Sequence, residues 1–117
     1  MMSNRIKVLF VCSKNRWRSP TAEAVYRDDH RIAVRSRGTA QSARRTVCAA
    51  DLAWADLVMV MEHKHRSRLL AEFTREAEFL EIAVLDIPDD YQFMDAELVD
   101  LIQTAAEPHI DQAGASG

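Results

Sequence analysis

Cys12 and Arg18 are separated by five residues in the segment Cys12-Ser13-Lys14-Asn15-Arg16-Trp17-Arg18-Ser19. The cysteine closes an apolar run that starts at Ile6. The arginine stands where Ser19-Pro20-Thr21-Ala22-Glu23 is expected to open a helix, with Ser19 as N-cap, Pro20 at the first helical position and Glu23 early in the helix. A tight loop that feeds a helix N-terminus turns several backbone N–H groups toward one point, and the helix dipole reinforces that anion nest. Arg18 can add a bidentate fork to two oxygens of a phosphate-like group. A positive field of this kind also favours the thiolate form of cysteine, which is the nucleophile. Cys12 would then face a phosphoryl group held by Ser13, Lys14, Asn15, Arg16, Trp17 and Ser19, in position to attack it. A cysteine that ends a strand is otherwise an inert core residue, and the Cys-x5-Arg spacing alone leaves both readings open.

This chemistry needs a buried strand before the loop and a helix after it. Arg5 to Cys12 has the β-branched and aromatic content of such a strand. Further strands are expected at Ile32 to Ser36, Asp56 to Met61 and Ile82 to Leu85. Helices are expected at Ala43 to Trp54, at His63 to Phe73 with an extension to about Phe79, and at Asp95 to Ala106. Leu69, Leu70 and Phe73 should face inward. Strand and helix alternate, and the strands are near-continuous apolar runs. The pattern therefore asks for an α/β fold: a small, doubly wound, four-stranded parallel sheet with helices on both faces. Such sheets bind ligands beyond the carboxyl ends of their strands, near the point where strand order reverses. The domain is expected to span residues 1–106, with residues 107–117 a flexible C-terminal tail.

Composition narrows the class. The chain has 117 residues, 48% hydrophobic and 28% charged, as expected of one globular domain rather than a disordered chain. The apolar runs at Ile6 to Cys12 and Leu57 to Met61 are too short to span a bilayer, and the first leads into basic residues rather than a signal-peptide cleavage site. Two cysteines, Cys12 and Cys48, make no disulfide framework, so a reducing cytoplasm is the expected location. The net charge of -3 conceals an asymmetry: residues 1–50 carry +8 and residues 51–117 carry -11. A basic half suggests an anionic ligand, although folding can equally mix the two halves into one solvated surface.

The segment Val11-Cys12-Ser13-Lys14-Asn15-Arg16-Trp17-Arg18-Ser19-Pro20-Thr21-Ala22-Glu23 resembles the phosphate loop of the low-molecular-weight protein tyrosine phosphatases. Ser36-Arg37-Gly38-Thr39, Ala55-Asp56-Leu57-Val58, Met61-Glu62 with His65, and Asp86-Ile87-Pro88 extend the likeness in chain order, over roughly residues 5–105. The chain would be a short, divergent member. The resemblance implies that Cys12 attacks phosphorus to form a phosphocysteine, while Arg18 and the loop amides bind the oxygens on which charge accumulates. It implies that Asn15 holds the loop's shape, that Ser19 hydrogen-bonds the thiolate, and that an aspartate of the late loop protonates the leaving oxygen. Neither metal nor cofactor is implied, and phosphate, sulfate and vanadate are the expected loop ligands.

Departures from the family pattern sharpen these expectations. Family members usually have Gly at the position of Lys14 and a second cysteine at that of Trp17. Lys14 suits a more anionic substrate, and Trp17 either walls the pocket or packs on the neighbouring helix. The family's late loop has Asp directly before Pro, whereas Ile87 intervenes here. Asp86 is therefore the expected general acid, with Asp89 and Asp90 as alternatives and Tyr91 as a pocket wall. His63 and His65 read as surface residues, Arg44-Arg45 as a solvated helix start, and Cys48 as core. The leading function is a phosphomonoester hydrolase acting on a phosphotyrosine protein or a small phosphoester. Alternatives are a phosphatase or cyclic phosphodiesterase on nucleotide or RNA phosphates, a thioredoxin-coupled arsenate reductase, and a non-catalytic binder of phosphorylated ligands. A nucleic acid remains a conceivable partner on the charge of the basic half, and a membrane does not.

Overall fold

The computed structural model describes residues 5–115. Strands β1 (Ile6–Cys12), β2 (Ile32–Gly38), β3 (Leu57–Val60) and β4 (Glu81–Val84) alternate with helices α1 (Arg18–Tyr26), α2 (Ala49–Trp54), α3 (His63–Glu72), α4 (Thr74–Ala77) and α5 (Ala96–Ala115). All strand pairs are parallel, in the order β2-β1-β3-β4. After β2 the chain crosses β1 to lay β3 on its other side. The reversal falls between β1 and β3, so a crevice opens at their carboxyl ends. The expected doubly wound sheet is the observed one.

Side chains on a strand alternate between faces, so both faces of an apolar β1 must be covered. Val8, Phe10 and Cys12 join Leu57, Met59 and Met61 of the β3 region in one core, closed by Ala22 and Tyr26 of α1 and by Leu98, Ile102, Ala106 and Ile110 of α5. Leu9 and Val11 join Val58 and Val60 on the other face, beneath Leu52 of α2 and Leu69 of α3. Phe10 stacks on Tyr26 with ring centroids 5.9 Å apart. Burial of each such side chain stabilises the fold by about 1.5–3 kcal/mol.

Several expected boundaries move. Residues 43–48 are not helical: this segment folds back on the end of β2, where Thr46 bridges Gly38 and Val47 N–H donates to the Gly38 carbonyl. Only Ala49–Trp54 forms α2, so Cys48 is an exposed N-cap rather than core. The helix from His63 breaks at Phe73 (φ -124°, ψ 49°), and α4 follows as a separate turn. Leu69 is buried, while Leu70 and Phe73 are only half-buried. Helix α1 begins at Arg18, one residue before the expected Ser19 cap, and Trp17 caps it without a side-chain hydrogen bond.

The flexible tail expected from 107 is also corrected. Helix α5 continues through Pro108 to Ala115. Ile110 sits in the core, Glu107 accepts from the Tyr26 hydroxyl at 2.8 Å, and Arg31 pairs with both Glu107 and Asp111. These contacts offset the cost of proline inside a helix. The remainder of the tail, 116–117, and residues 1–4 lie outside the described residues. Among the described residues, no helix is long and apolar enough to cross a membrane.

Candidate active site

The loop from Cys12 to Arg18 leaves β1 at the crevice and curls back on itself. Its carbonyls point outward: those of Cys12, Ser13 and Lys14 accept from the amides of Thr39, Ala40 and Arg44, and that of Asn15 accepts from Arg44 Nε. Among the described residues, no backbone amide of residues 13–17 donates to a backbone carbonyl. A loop whose carbonyls are consumed by neighbours leaves its N–H groups available, as an anion nest requires.

Gly38 makes the curl possible. A Cβ there would lie 2.6 Å from the Ser13 carbonyl oxygen and 2.6 Å from the Ala43 Cβ. Asn15, with φ of 54°, is the loop's left-handed residue, a conformation that asparagine tolerates better than most residues. Its fully buried Nδ2 donates to Ser19 Oγ at 2.9 Å and to Ser36 Oγ at 3.0 Å. The Ser36 hydroxyl in turn donates to Glu23 Oε1 at 2.5 Å. Ser19 Oγ lies 3.0 Å from Cys12 Sγ. Ser19 accepts from Asn15, and its single proton lies within reach of both the Cys12 sulfur at 3.0 Å and the Arg37 carbonyl at 3.3 Å. Asn15 Oδ1 is buried with no partner among the described residues.

Arg18 is 2% exposed. Its Nη1 donates to Glu62 Oε2 at 2.5 Å and to the Ile87 carbonyl at 2.8 Å, and its Nε lies 3.5 Å from Asp89 Oδ1. Burial works against charge on Glu62, but the hydrogen bond from Arg18, with the nearby positive charge, outweighs it and holds the carboxyl below its ordinary range. Glu62 thus aims the guanidinium from behind.

His65 is not a surface residue. It is 1% exposed: its Nδ1 accepts from the Glu62 amide at 3.1 Å, which leaves Nε2–H to donate to Ser13 Oγ at 2.8 Å. Burial, then the charge of Arg18, lowers its pKa to about 4, so it is neutral at pH 7. His63 is exposed as expected, 3.6 Å from Asp86.

A cavity of about 60 Å³ opens over the cysteine, lined by Cys12, Lys14, Arg16, Trp17, Arg18 and Asp89. Trp17 is a wall, and the Arg16 guanidinium lies 5.9 Å from its ring centre. Lys14 Nζ donates to Ser42. Asp86, the expected acid, does not line this cavity. With φ of 57°, it turns into a larger, separate cleft of about 370 Å³ shared with Glu62, His63, Lys64, Ile87 and Pro88. The Leu85 and Ile87 amides on either side of Asp86 still bond the Val60 and Met61 carbonyls, Ile87 is buried, and Asp89 lines the Cys12 cavity instead. Asp90 and Tyr91 do not line the Cys12 cavity either, and the Tyr91 hydroxyl is taken by Glu97 of α5 at 2.6 Å.

Glu62 was missed as a functional residue, although Met61-Glu62 was noted in the sequence. A signal was available: a buried arginine at a helix start needs a carboxylate, and the carboxyl end of β3 is the adjacent strand end. Cys48 Sγ rests on the Asp51 carboxylate at 3.4 Å.

A parallel 2-1-3-4 sheet with this loop between its first strand and helix is the fold of the low-molecular-weight phosphatases. A low-molecular-weight phosphotyrosine phosphatase from Vibrio cholerae O395 is similar at 22% identity and a TM-score of 0.73, covering 96% of this chain and 99% of its own. The tyrosine phosphatase Wzb from Escherichia coli K30, in complex with phosphate, is similar at 18% identity, TM-score 0.72, over 93% and 99% of the two chains. The YwlE arginine phosphatase from Geobacillus stearothermophilus is similar at 19%, TM-score 0.68, over 95% and 92%. No family model and no curated protein sequence matches the chain.

Proposed function

We propose that the chain is a phosphomonoester hydrolase that works through a cysteinyl-phosphate intermediate. The observation that carries this reading is one cavity lined at once by Cys12, Arg18 and Asp89. In the first step Cys12 Sγ attacks phosphorus, the S–P bond forms, and the bond to the leaving oxygen breaks as Asp89 gives that oxygen its proton. Arg18 and the loop amides hold the equatorial oxygens, where charge rises in the transition state. In the second step water attacks the phosphocysteine, its proton passes to Asp89, and the S–P bond breaks. The Ser19 hydroxyl stabilises the departing thiolate. The products are the free alcohol and inorganic phosphate.

Asp89 takes the role that the sequence suggested for Asp86, because a general acid must come within hydrogen-bond reach of the leaving atom. The similar structures include phosphatases described for tyrosine and for arginine, so the fold leaves open the group that bears the phosphate. Trp17 at the mouth favours a flat, aromatic one.

The test is hydrolysis of phenyl phosphate between about pH 5 and 8, with chelator present. Cys12→Ser should lower turnover by about 10⁴-fold or more, while Cys48→Ser should leave it unchanged. Equal turnover by wild type and Cys12→Ser would sink the phosphocysteine mechanism. A large loss in Cys48→Ser would favour a thiol relay instead.

A further inference from the structure

Beside the Cys12 cavity lies a second cleft of about 260 Å³, lined by Arg16, Pro20, Glu23, Arg27, Arg44 and Phe93. Arg16 borders both cavities. Three guanidinium groups face one carboxylate here, and that carboxylate, Glu23, is engaged by the Ser36 hydroxyl. Arg18, Arg31, Arg35, Arg37 and Arg68 all have acidic partners, whereas among the described residues Arg16, Arg27 and Arg44, like Arg5, Arg45, Arg66 and Arg75, form no ion pair. What sets Arg16, Arg27 and Arg44 apart is that they line one cleft. Arg44 is fixed in place by its Nε bond to the Asn15 carbonyl at 3.1 Å, which leaves the outer end of its guanidinium to the cleft. Phe93 supplies an apolar wall with half its surface exposed.

Like charges that line one cleft repel one another, and an anion between them relieves that repulsion while accepting charge-assisted hydrogen bonds. A carboxylate or phosphate group is the ligand such a cleft suits. The shared border at Arg16 makes the cleft continuous with the place where a phosphoryl group would meet Cys12.

We infer that this cleft is a second anion subsite, which takes a further phosphate or carboxylate group of the same substrate whose scissile phosphate sits on the Cys12 loop. The inference rests on the phosphatase reading for the identity of that scissile group. It defines the substrate as a phosphomonoester with a second anionic group on a tether, rather than one that ends in a neutral ring.

The probes are benzylphosphonate and benzylphosphonates bearing a second phosphonate or a carboxylate on tethers of graded length, with binding measured by calorimetry. The best tethered phosphonate should bind wild type about tenfold more tightly than benzylphosphonate. The carboxylate series should show a smaller gain, and added salt should shrink both. Arg27→Glu should remove the gain while leaving benzylphosphonate affinity unchanged. No gain at any tether length, or a gain that survives Arg27→Glu, overturns the subsite. Phenyl phosphate turnover, measured alongside, separates the two claims: loss of turnover with the tether gain intact sinks the phosphatase reading alone, and normal turnover with no tether gain sinks the subsite alone.

Discussion

The loop from Cys12 to Ser19 is held from behind by the buried side chains of Asn15, Ser19 and Ser36. The loop that faces it, from Leu85 to Asp95, keeps Asp86, Asp89, Asp90 and Phe93 in solvent. One region is a cradle whose carbonyls at Cys12, Ser13, Lys14 and Asn15 are taken by neighbouring donors and whose buried Asn15 amide nitrogen is taken by Ser19 and Ser36. The other is a surface turn anchored at three points: Ile87 in the core, its carbonyl on Arg18, and the Met94 amide on Thr21 Oγ1 at 2.9 Å. Binding an oxyanion needs donors that do not reorganise as charge develops. Protonating a leaving group needs a carboxyl that can meet solvent and regain its proton. Under the proposed phosphatase reading, the first task falls to the cradle and the second to the facing turn.

The largest expected effect tests the division of labour. Asp89→Ala should lower kcat for phenyl phosphate by about 10²–10³-fold, with a smaller loss for an ester whose leaving group needs no proton, and vanadate binding should persist. Asp86→Ala and Asp90→Ala should stay within about twofold, because neither lines the cavity. A larger loss in Asp86→Ala than in Asp89→Ala would reverse the assignment.

Next comes the cradle's dependence on a neutral His65. Its folded pKa is lowered to about 4 from the ordinary 6.5, so the unfolded chain takes up a proton that the folded chain refuses. The contribution is fully present above pH 6.5 and is lost as pH falls toward 4. It amounts to about 3 kcal/mol across that window. Urea midpoints of wild type and His65→Gln should therefore converge as the pH drops from 7 to about 4.5. A stability gap independent of pH would show that His65 is not the titrating group.

Gly38→Ala probes the same cradle by steric means. With its Cβ 2.6 Å from the Ser13 carbonyl, the variant should lose about 1–3 kcal/mol and most of the stabilisation that vanadate confers in a thermal melt. An unchanged melt would mean that the loop has room to yield. The smallest effect should come from the exposed side: Tyr91→Phe removes only the hydrogen bond to Glu97, and kcat/KM should change by less than about twofold. A tenfold loss would make Tyr91 part of the pocket after all.

The same contrast governs what could be read from the residues. The cradle was legible because its chemistry is local: a strand, five intervening residues, an arginine and a helix start are contiguous, and β1 carries the apolar pattern of a strand covered on both faces. Asp86, Asp89 and Asp90 could not be told apart in the sequence, because an exposed Asp-Ile-Pro-Asp-Asp run carries no period that says which carboxylate lines the Cys12 cavity. That choice falls to Ile87, whose burial sets the direction of the chain after Asp86. Residues 43–48 read as helix because Ala43, Arg44 and Arg45 are good helix formers, yet the Arg44 amide is claimed by the Lys14 carbonyl, the Arg45 carbonyl accepts from the Gly38 amide and the Ala43 amide turns back to Ala40.

His65 looked like a surface residue because a histidine two positions from another on a polar helix start normally is one. The Glu62 amide reaches one ring nitrogen locally, as part of the capping box that starts α3, but only the packing of α3 against the Cys12 loop brings Ser13 to the other. Sequence alone therefore determined the alternation of elements, the parallel sheet and the place of the Cys12–Ser19 loop between the first strand and helix, since hydrophobic period and short-range spacing are properties of contiguous residues. Tertiary structure decided which aspartate faces Cys12, which carboxylate aims Arg18, and where unpaired arginines gather. Each of these depends on side chains from distant segments meeting at one strand end, and pairwise distance in a folded chain is not a local property.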